Sequence, residues 1–328
     1  MNPRRRRSLL LCAGAALVGL AARAQVPGRS YRIGIAWLAD AASTRPYQDA
    51  FLDGLRELGF EAGRNLVVDV RNCNGDAAKL PGYVDELIAL KPDLLAGNDQ
   101  VAQSIQRRTA RIPIVLTISN DPVAAGLVNS LTRPGGNVTG MAVHGPATGA
   151  KTVELMAEFL PRMKSIAMLV APGTPGAADL QEAVRSAARA KGARVVAYEV
   201  KDKASLEQAF VEMERSHPDA LLGTGGSAML VGFRQLIADH ALRLRVAATG
   251  GAASQAEAGF LFSYGVKLHD VFRRSASHAA RILAGANPAD LPVEQASTFE
   301  LVVNLATARA LGIAIPPTIR LRADRLIE

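Results

Sequence analysis

The sequence predicts an α/β protein built from two similar doubly wound parallel-sheet lobes. About 300 residues follow a short leader, and 49% of the chain is hydrophobic. That is more than one core usually holds, so two domains are expected. Short, nearly continuous apolar runs alternate with longer segments of helical period. Such runs suit parallel strands buried on both faces between layers of helices. The pattern also restarts midway, so the second half repeats the order of the first.

In the first half, strands are expected at residues 31–38, 65–71, 93–97 and 112–118, and helices at 46–58, 76–90 and 100–109. Phe51, Leu55 and Leu58 show the spacing, four and three residues apart on one helix face. Residues 119–140 then read SNDPVAAGLVNSLTRPGGNVTG. Asp121 before Pro122 suits a helix start, so a short helix is expected over 122–131. The run 134–140 is expected to cross into the second lobe, with Gly135, Gly136 and Gly140 absorbing the dihedral change of a hinge.

After Gly140 the order repeats. Residues 164–171 (KSIAMLVA) match 31–38 (YRIGIAWL) in kind, and 193–200 (ARVVAYEV) parallel 65–71. A helix end at Lys191-Gly192 corresponds to the one at Leu58-Gly59. The clearest echo sets Lys91-Pro-Asp-Leu-Leu-Ala-Gly97 against His217-Pro-Asp-Ala-Leu-Leu-Gly223, 126 residues apart.

The first residues address the compartment. Arg4 to Arg7 form a cationic block, fifteen uncharged residues follow from Ser8 to Ala22, and Ala22-Arg23-Ala24 offers small residues to a signal peptidase. A secretory signal peptide is expected over residues 1–24 with cleavage near Ala24, its apolar run short for a membrane span. Arg6-Arg7-Ser8-Leu9-Leu10 also resembles a twin-arginine signal. Cys12 is preceded by Leu11, where a lipobox needs a small residue. Removing the leader takes five arginines and no acids, so the formal charge falls from +8 to +3. Charges of both signs are interspersed beyond it, which argues against nucleic-acid binding. Only Cys73 then remains, so no internal disulfide forms, and a lone cysteine suits a buried small side chain.

In an open parallel sheet, ligands sit beyond the carboxyl ends of the strands. Those ends supply Trp37, then Asn98, Asp99 and Gln100, then Ser119, Asn120 and Asp121 in the first half. The second half supplies Ala171-Pro172-Gly173, Thr224 and Gly225, Thr249-Gly250, and Ser263-Tyr264-Gly265. The set is rich in neutral donors and acceptors with few carboxylates and two aromatics, chemistry that holds a small polar or zwitterionic molecule. Asp121 is the sharpest candidate: its carboxylate suits a ligand ammonium, while Ser119 and backbone amides suit a carboxylate. It also suits a plain helix cap, as does Asp99. Trp37 and Tyr264 suit either ligand stacking or a wedge between lobes.

Catalytic patterns are missing from the sequence. Gly223-Thr-Gly-Gly-Ser227 lacks the lysine and spacing of a nucleotide cradle. There is no Gly-x-Ser-x-Gly elbow, and the five histidines show no metal spacing. The arginines of residues 272–283 read as the solvated face of an amphipathic helix. No enzyme, metal or cofactor is expected.

Two long stretches resemble a known family. Asp121-Pro-Val-Ala-Ala-Gly-Leu-Val-Asn-Ser-Leu-Thr-Arg-Pro-Gly-Gly-Asn-Val-Thr-Gly140 is similar to the signature of ABC-transporter substrate-binding proteins of the tryptophan/tyrosine-uptake type. The stretch from Pro288-Ala-Asp-Leu-Pro-Val-Glu-Gln295, through Phe299-Glu-Leu-Val-Val-Asn304 and Ala310-Leu-Gly-Ile-Ala-Ile-Pro316, to Arg322-Ala-Asp-Arg-Leu-Ile-Glu resembles that family's C-terminal segment. The resemblance implies a type I periplasmic-binding-protein fold, two lobes joined by three crossovers and closing on a ligand. One lobe would comprise residues 25–138 with about 266–290, the other 139–265 with about 291–328. The implied protein is a monomeric periplasmic receptor that hands a small amino acid or organic acid to an inner-membrane ABC permease. Two other readings share these features: a sensory receptor for a membrane kinase or chemoreceptor, and a secreted α/β enzyme using the same cleft.

Overall fold

A computed structural model describes residues 29–143, 145–224 and 227–328. The expected leader with its cleavage point, and Gly225, lie outside the described residues. The first lobe opens with β1 (Tyr31–Trp37), α1 (Ala41–Glu57), β2 (Leu66–Asn72), α2 (Leu80–Ala89), β3 (Leu94–Gly97), α3 (Asp99–Gln106), β4 (Ile114–Ser119) and β5 (Val138–Ala142). The second follows with α4 (Gly145–Phe159), β6 (Ser165–Val170), α5 (Ala177–Ala190), β7 (Arg194–Glu199), α6 (Lys203–Ser216) and β8 (Ala220–Gly223). It continues through α7 (Ala228–Gly232), α8 (Arg234–Arg243), β9 (Ala247–Gly250), α9 (Ala253–Glu257) and β10 (Phe262–Val266). The chain returns to the first lobe for α10 (Leu268–Leu283) and β11 (Glu294–Gln295). It ends in the second with β12 (Phe299–Asn304), α11 (Leu305–Leu311), α12 (Pro317–Arg322) and β13 (Arg325–Ile327).

The sheets run β11-β5-β4-β3-β1-β2 and β13-β12-β10-β9-β8-β6-β7. All pairs are parallel except β10 with β12. The order β2-β1-β3-β4-β5 recurs as β7-β6-β8-β9-β10, so the two lobes share a topology, as the repeated sequence pattern predicts.

Continuous apolar strands follow from burial on both faces. Leu94, Ala96 and Val115 face one core of the first lobe, with Phe51 and Leu55 of α1 and Ala276 and Ala279 of α10. Leu95, Ile114 and Leu116 face the other, with Val84, Leu87, Val101 and Ile105. Ile166 and Met168 against Ala167 and Leu169 divide the same way in the second lobe. Alternate residues of one strand thus serve two cores, and no polar face remains to break the run.

The 126-residue echo has a physical cause. Lys91 and His217 both take left-handed backbone, φ +52° and +44°, at the turn from helix to strand. The aspartate two residues on then ties that turn to the first strand of its lobe. Asp93 accepts from the Arg32 amide at 2.8 Å, and Asp219 from the Lys164 and Ser165 amides at 2.8 and 2.9 Å.

The crossovers differ from the sequence expectation. Residues 138–142 pair with β4 inside the first sheet, so the chain leaves the first lobe between Ala142 and Gly145, after the expected 134–140. The return path reaches β11, which pairs with β5 of the first sheet, so residues 294–295 stay with that lobe. Gly140 does not lie at the crossover where the hinge was expected. It sits within β5 at φ +139°, and a Cβ there would stand 2.6 Å from the Leu116 nitrogen. Gly135 is tied within the first lobe by its amide to the Ala289 carbonyl at 3.3 Å, and exposed Gly136 lies in the same loop, before β5. The expected helix over 122–131 is a set of tight turns. Gly126, at φ +69°, reverses the chain after one turn so that Leu127 and Val128 reach the first-lobe core.

The three actual crossovers lie together. The Lys267 amide donates to the Thr298 carbonyl at 3.0 Å, and the Ala296 amide to the Ala142 carbonyl at 2.7 Å. Met141, Val266, Val271 and Ala296 form a small buried cluster at the junction, with Val143, Leu268 and Phe299 packed against it.

Candidate functional site

A cavity of about 450 Å³ lies between the lobes beside the crossovers, within the usual range of small-molecule sites. The first lobe lines it with residues after the ends of β4 and β5, including Asn120, Asp121, Val123, Ala142 and Val143. The second contributes Met168 and Val170 of β6 with Ala171 after it, Leu222 of β8 with Thr224 after it, and Tyr264 and Val266 of β10. The first turns of α4 and α5 complete the wall with Gly145, Thr148, Gly176 and Asp179. The lining is mainly apolar, with a small number of polar groups among it.

Asp121 occupies the meeting point of the lobes. Its Oδ1 accepts from the Val123 and Ala124 amides at 3.1 and 2.9 Å, holding the turn that begins with Pro122. The same side chain lines the cavity, so capping and exposure to a ligand coexist. Across the gap stands Gly176, the N-cap of α5 at φ +72°. A Cβ there would lie only 3.1 Å from Asp121 Cβ, so a side chain would crowd this approach of lobe to lobe.

Of the ten residues expected at the site, Asn120, Asp121, Thr224 and Tyr264 line this cavity. Tyr264 also stacks on Phe299 near the third crossover, with ring centroids 5.8 Å apart. Trp37, Asn98, Asp99, Gln100 and Ser119 do not line it. Trp37 packs on Phe272 of α10, which in turn stacks on Tyr47 of α1. Asn98 caps α3 by accepting from the Val101 amide at 3.2 Å, and Gln100 is exposed on that helix.

Asp99 supports the cavity from behind. It is 4% exposed and accepts from the Asn120 amide at 2.9 Å, fixing the backbone that presents Asn120 and Asp121. Burial pushes its carboxyl above the ordinary range, the Ser119 hydroxyl and the Asn120 amide pull against that shift, and the charge of Asp121 adds to it.

Sequence reasoning missed the first turns of α4 and α5, together with Gln181 and Gln295. The helix starts follow strand ends and Gln295 precedes the last crossover, and Gly145-Pro146 and Gly173-Thr-Pro-Gly176 carry turn signals that mark such loops. Among the described residues, no group of three or more His, Cys, Asp or Glu could hold a metal ion, and no helix is long and apolar enough to cross a membrane.

The geometry has counterparts in known proteins. The model of ABC transporter substrate binding proteins matches residues 32–327. The tyrosine-binding protein of Clostridioides difficile (strain R20291) is 24% identical over 282 residues, 86% of this chain and 81% of that protein. A conserved domain protein from Vibrio cholerae superposes with a TM-score of 0.85 at 29% identity, over 91% of this chain and 100% of the other. An ABC domain from Streptococcus pneumonia, solved in complex with L-Trp, gives 0.84 at 27% identity over the same shares. Because the family match runs through both lobes, all three crossovers and the returning elements, the chain belongs to the ABC transporter substrate-binding proteins.

Proposed function

We propose that the protein is an exported, non-enzymatic receptor that captures a small amino-acid-like solute in the interlobe cavity and delivers it to an ABC importer. The observation that carries this reading is the cavity itself: an apolar chamber between two lobes, with the Asp121 carboxylate at its rim. Apolar walls suit a side chain, and a carboxylate that also caps a turn is held in place to meet an ammonium group. The relatives that bind tyrosine and L-Trp support a ligand of that size and kind. Closure follows if the ligand contacts both lobes, because it then favours the closed arrangement by its differential affinity. The crossovers at 143–145, 267 and 296–298 are the segments that would bend. We assign the protein to the periplasm, reached by the leader at residues 1–24, as a monomer that docks on its permease.

The test is a thermal-shift panel of amino acids, aromatic acids and other small carboxylates on the purified mature protein. A binder at 100 times its dissociation constant adds about 2.7 kcal/mol of stability. A panel in which no small molecule shifts the melting temperature, while a macromolecule does, refutes the reading.

A further inference from the structure

We propose that the cavity recognises its ligand through a cationic nitrogen and an apolar body and does not need a carboxylate, so that small hydrophobic amines are its ligands. This rests on the solute-receptor reading and specifies the chemistry of that site.

The charges around the cavity have one sign. Asp121 and Asp179 line it, and no lysine or arginine does so among the described residues. Asp99 lies directly behind, holding the Asn120 backbone, and adds a third acidic group to the same side. The nearest bases in sequence are turned to other partners. Lys267, between two lining residues, reaches Asp270 at 3.8 Å. Arg185 of α5 stands behind the lining Gln181 and is engaged by its side chain at 3.4 Å, and Lys151 of α4 pairs with Glu154 at 2.8 Å.

A ligand carboxylate would look for donors at the two helix starts. α5 carries Asp179 in its own first turn, which opposes an anion there. At the start of α4, Pro146 lines the cavity and offers no N–H. The other polar groups of the wall, Thr224, Tyr264 and Gln295 among them, are neutral and can accept from an ammonium as readily as they donate. Tyr264 also presents an aromatic ring, which favours a cation or an aromatic body. An ammonium ion entering this cavity therefore gains from Asp121, whereas a carboxylate is repelled by both lining aspartates.

The experiment is calorimetric titration of the purified protein with three indoles that share one body: tryptophan, tryptamine and indole-3-propionate. Tryptamine is expected within about 10-fold of tryptophan, and indole-3-propionate at least about 100-fold weaker than tryptamine. Asp121→Asn keeps an oxygen for the Val123 and Ala124 amides and is expected to weaken tryptamine at least about 30-fold with the melting temperature nearly unchanged. Should that variant fail to fold, Asp179→Asn on the exposed first turn of α5 is expected to weaken tryptamine several-fold. Indole-3-propionate binding as tightly as tryptamine overturns the proposal, as does tryptamine affinity unmoved by the folded variant. Tryptophan binding without tryptamine also overturns it, yet leaves the amino-acid receptor intact. If nothing binds, here or in the broader panel, the receptor reading falls as well.

Discussion

Gly140→Ala separates a sheet position from a hinge. Gly140 pairs with Leu116 inside the first sheet and takes φ +139°, a region an L side chain rarely enters. A methyl group there would meet the Leu116 oxygen, and would lie 2.6 Å from its nitrogen and 2.9 Å from its carbonyl carbon. These atoms belong to the backbone of a buried strand and cannot rotate away. Backbone strain of about 1–3 kcal/mol and a comparable overpacking cost apply together, so the expected loss is about 2–6 kcal/mol. In a lobe of this size that lowers the melting temperature by about 10 °C. The assay is urea unfolding followed by far-UV circular dichroism, run beside Gly136→Ala. Gly136 has no atom within 4 Å of a built Cβ, so its variant should stay within about 1 kcal/mol of wild type. If Gly140→Ala unfolds with wild-type stability while ligand affinity changes, Gly140 is a hinge after all and the sheet argument is wrong.

Two further predictions concern the aspartates that the sequence singles out. Asp219→Ala should cost about 1–2 kcal/mol, a modest figure for charge-assisted bonds because the residue is exposed, and Asp93→Ala should weaken the equivalent turn of the first lobe by a similar amount. Burial acts to raise the Asp219 carboxyl, but the Lys164 and Ser165 donors outweigh it and hold the group below its ordinary value of 3.8. Its contribution is therefore present above that value and fades as pH falls through the lowered one, which unfolding curves from neutral to acid pH will show. Asp99 has the opposite sign. Its carboxyl is raised above 3.8 by burial, so the folded state holds the proton more firmly and stability declines as pH rises from that value through the raised one. Asp99→Asn should remove this decline in denaturant titrations run from mildly acid to neutral pH; an unchanged pH profile would refute the assignment.

The elements legible in the sequence were those whose burial repeats along the chain. Strand β1 spans Tyr31–Trp37 where residues 31–38 were expected, because the residues of its buried middle, Ile33 to Ala36, pack between two cores and are apolar. The Pro-Asp echo marked equivalent strands because each aspartate performs the same task in its lobe. The segment 122–131 misled for a local reason. Asp-Pro starts a helix and a tight turn with the same hydrogen bonds, and only the tertiary need to seat Leu127 and Val128 in the core distinguishes them. The first crossover was misplaced for a similar reason: adjacent glycines resemble a hinge, whereas Gly140 lets β5 lie close against β4.

The site was half legible because strand ends are readable and strand order is not. Every residue after a parallel strand is a candidate by the same rule, and the rule ranks Trp37 and Asp99 with Asp121. Sheet order removes that equality. β4 and β5 lie on the side of the first sheet next to β11 and the crossovers, while β3 and β1 lie further across it. The cavity therefore receives Asn120 and Asp121, whereas Asp99 acts through the Asn120 amide and Trp37 joins the aromatic packing around Phe272. The α4 and α5 turns enter only because the chain crosses immediately after β5 and brings the second lobe against Asp121. Asp121 stays in both lists because one of its oxygens fixes the turn while the side chain still fronts the opposing lobe. A residue with only the first task would tolerate Asn in every assay, and loss of ligand without loss of stability is what distinguishes the second.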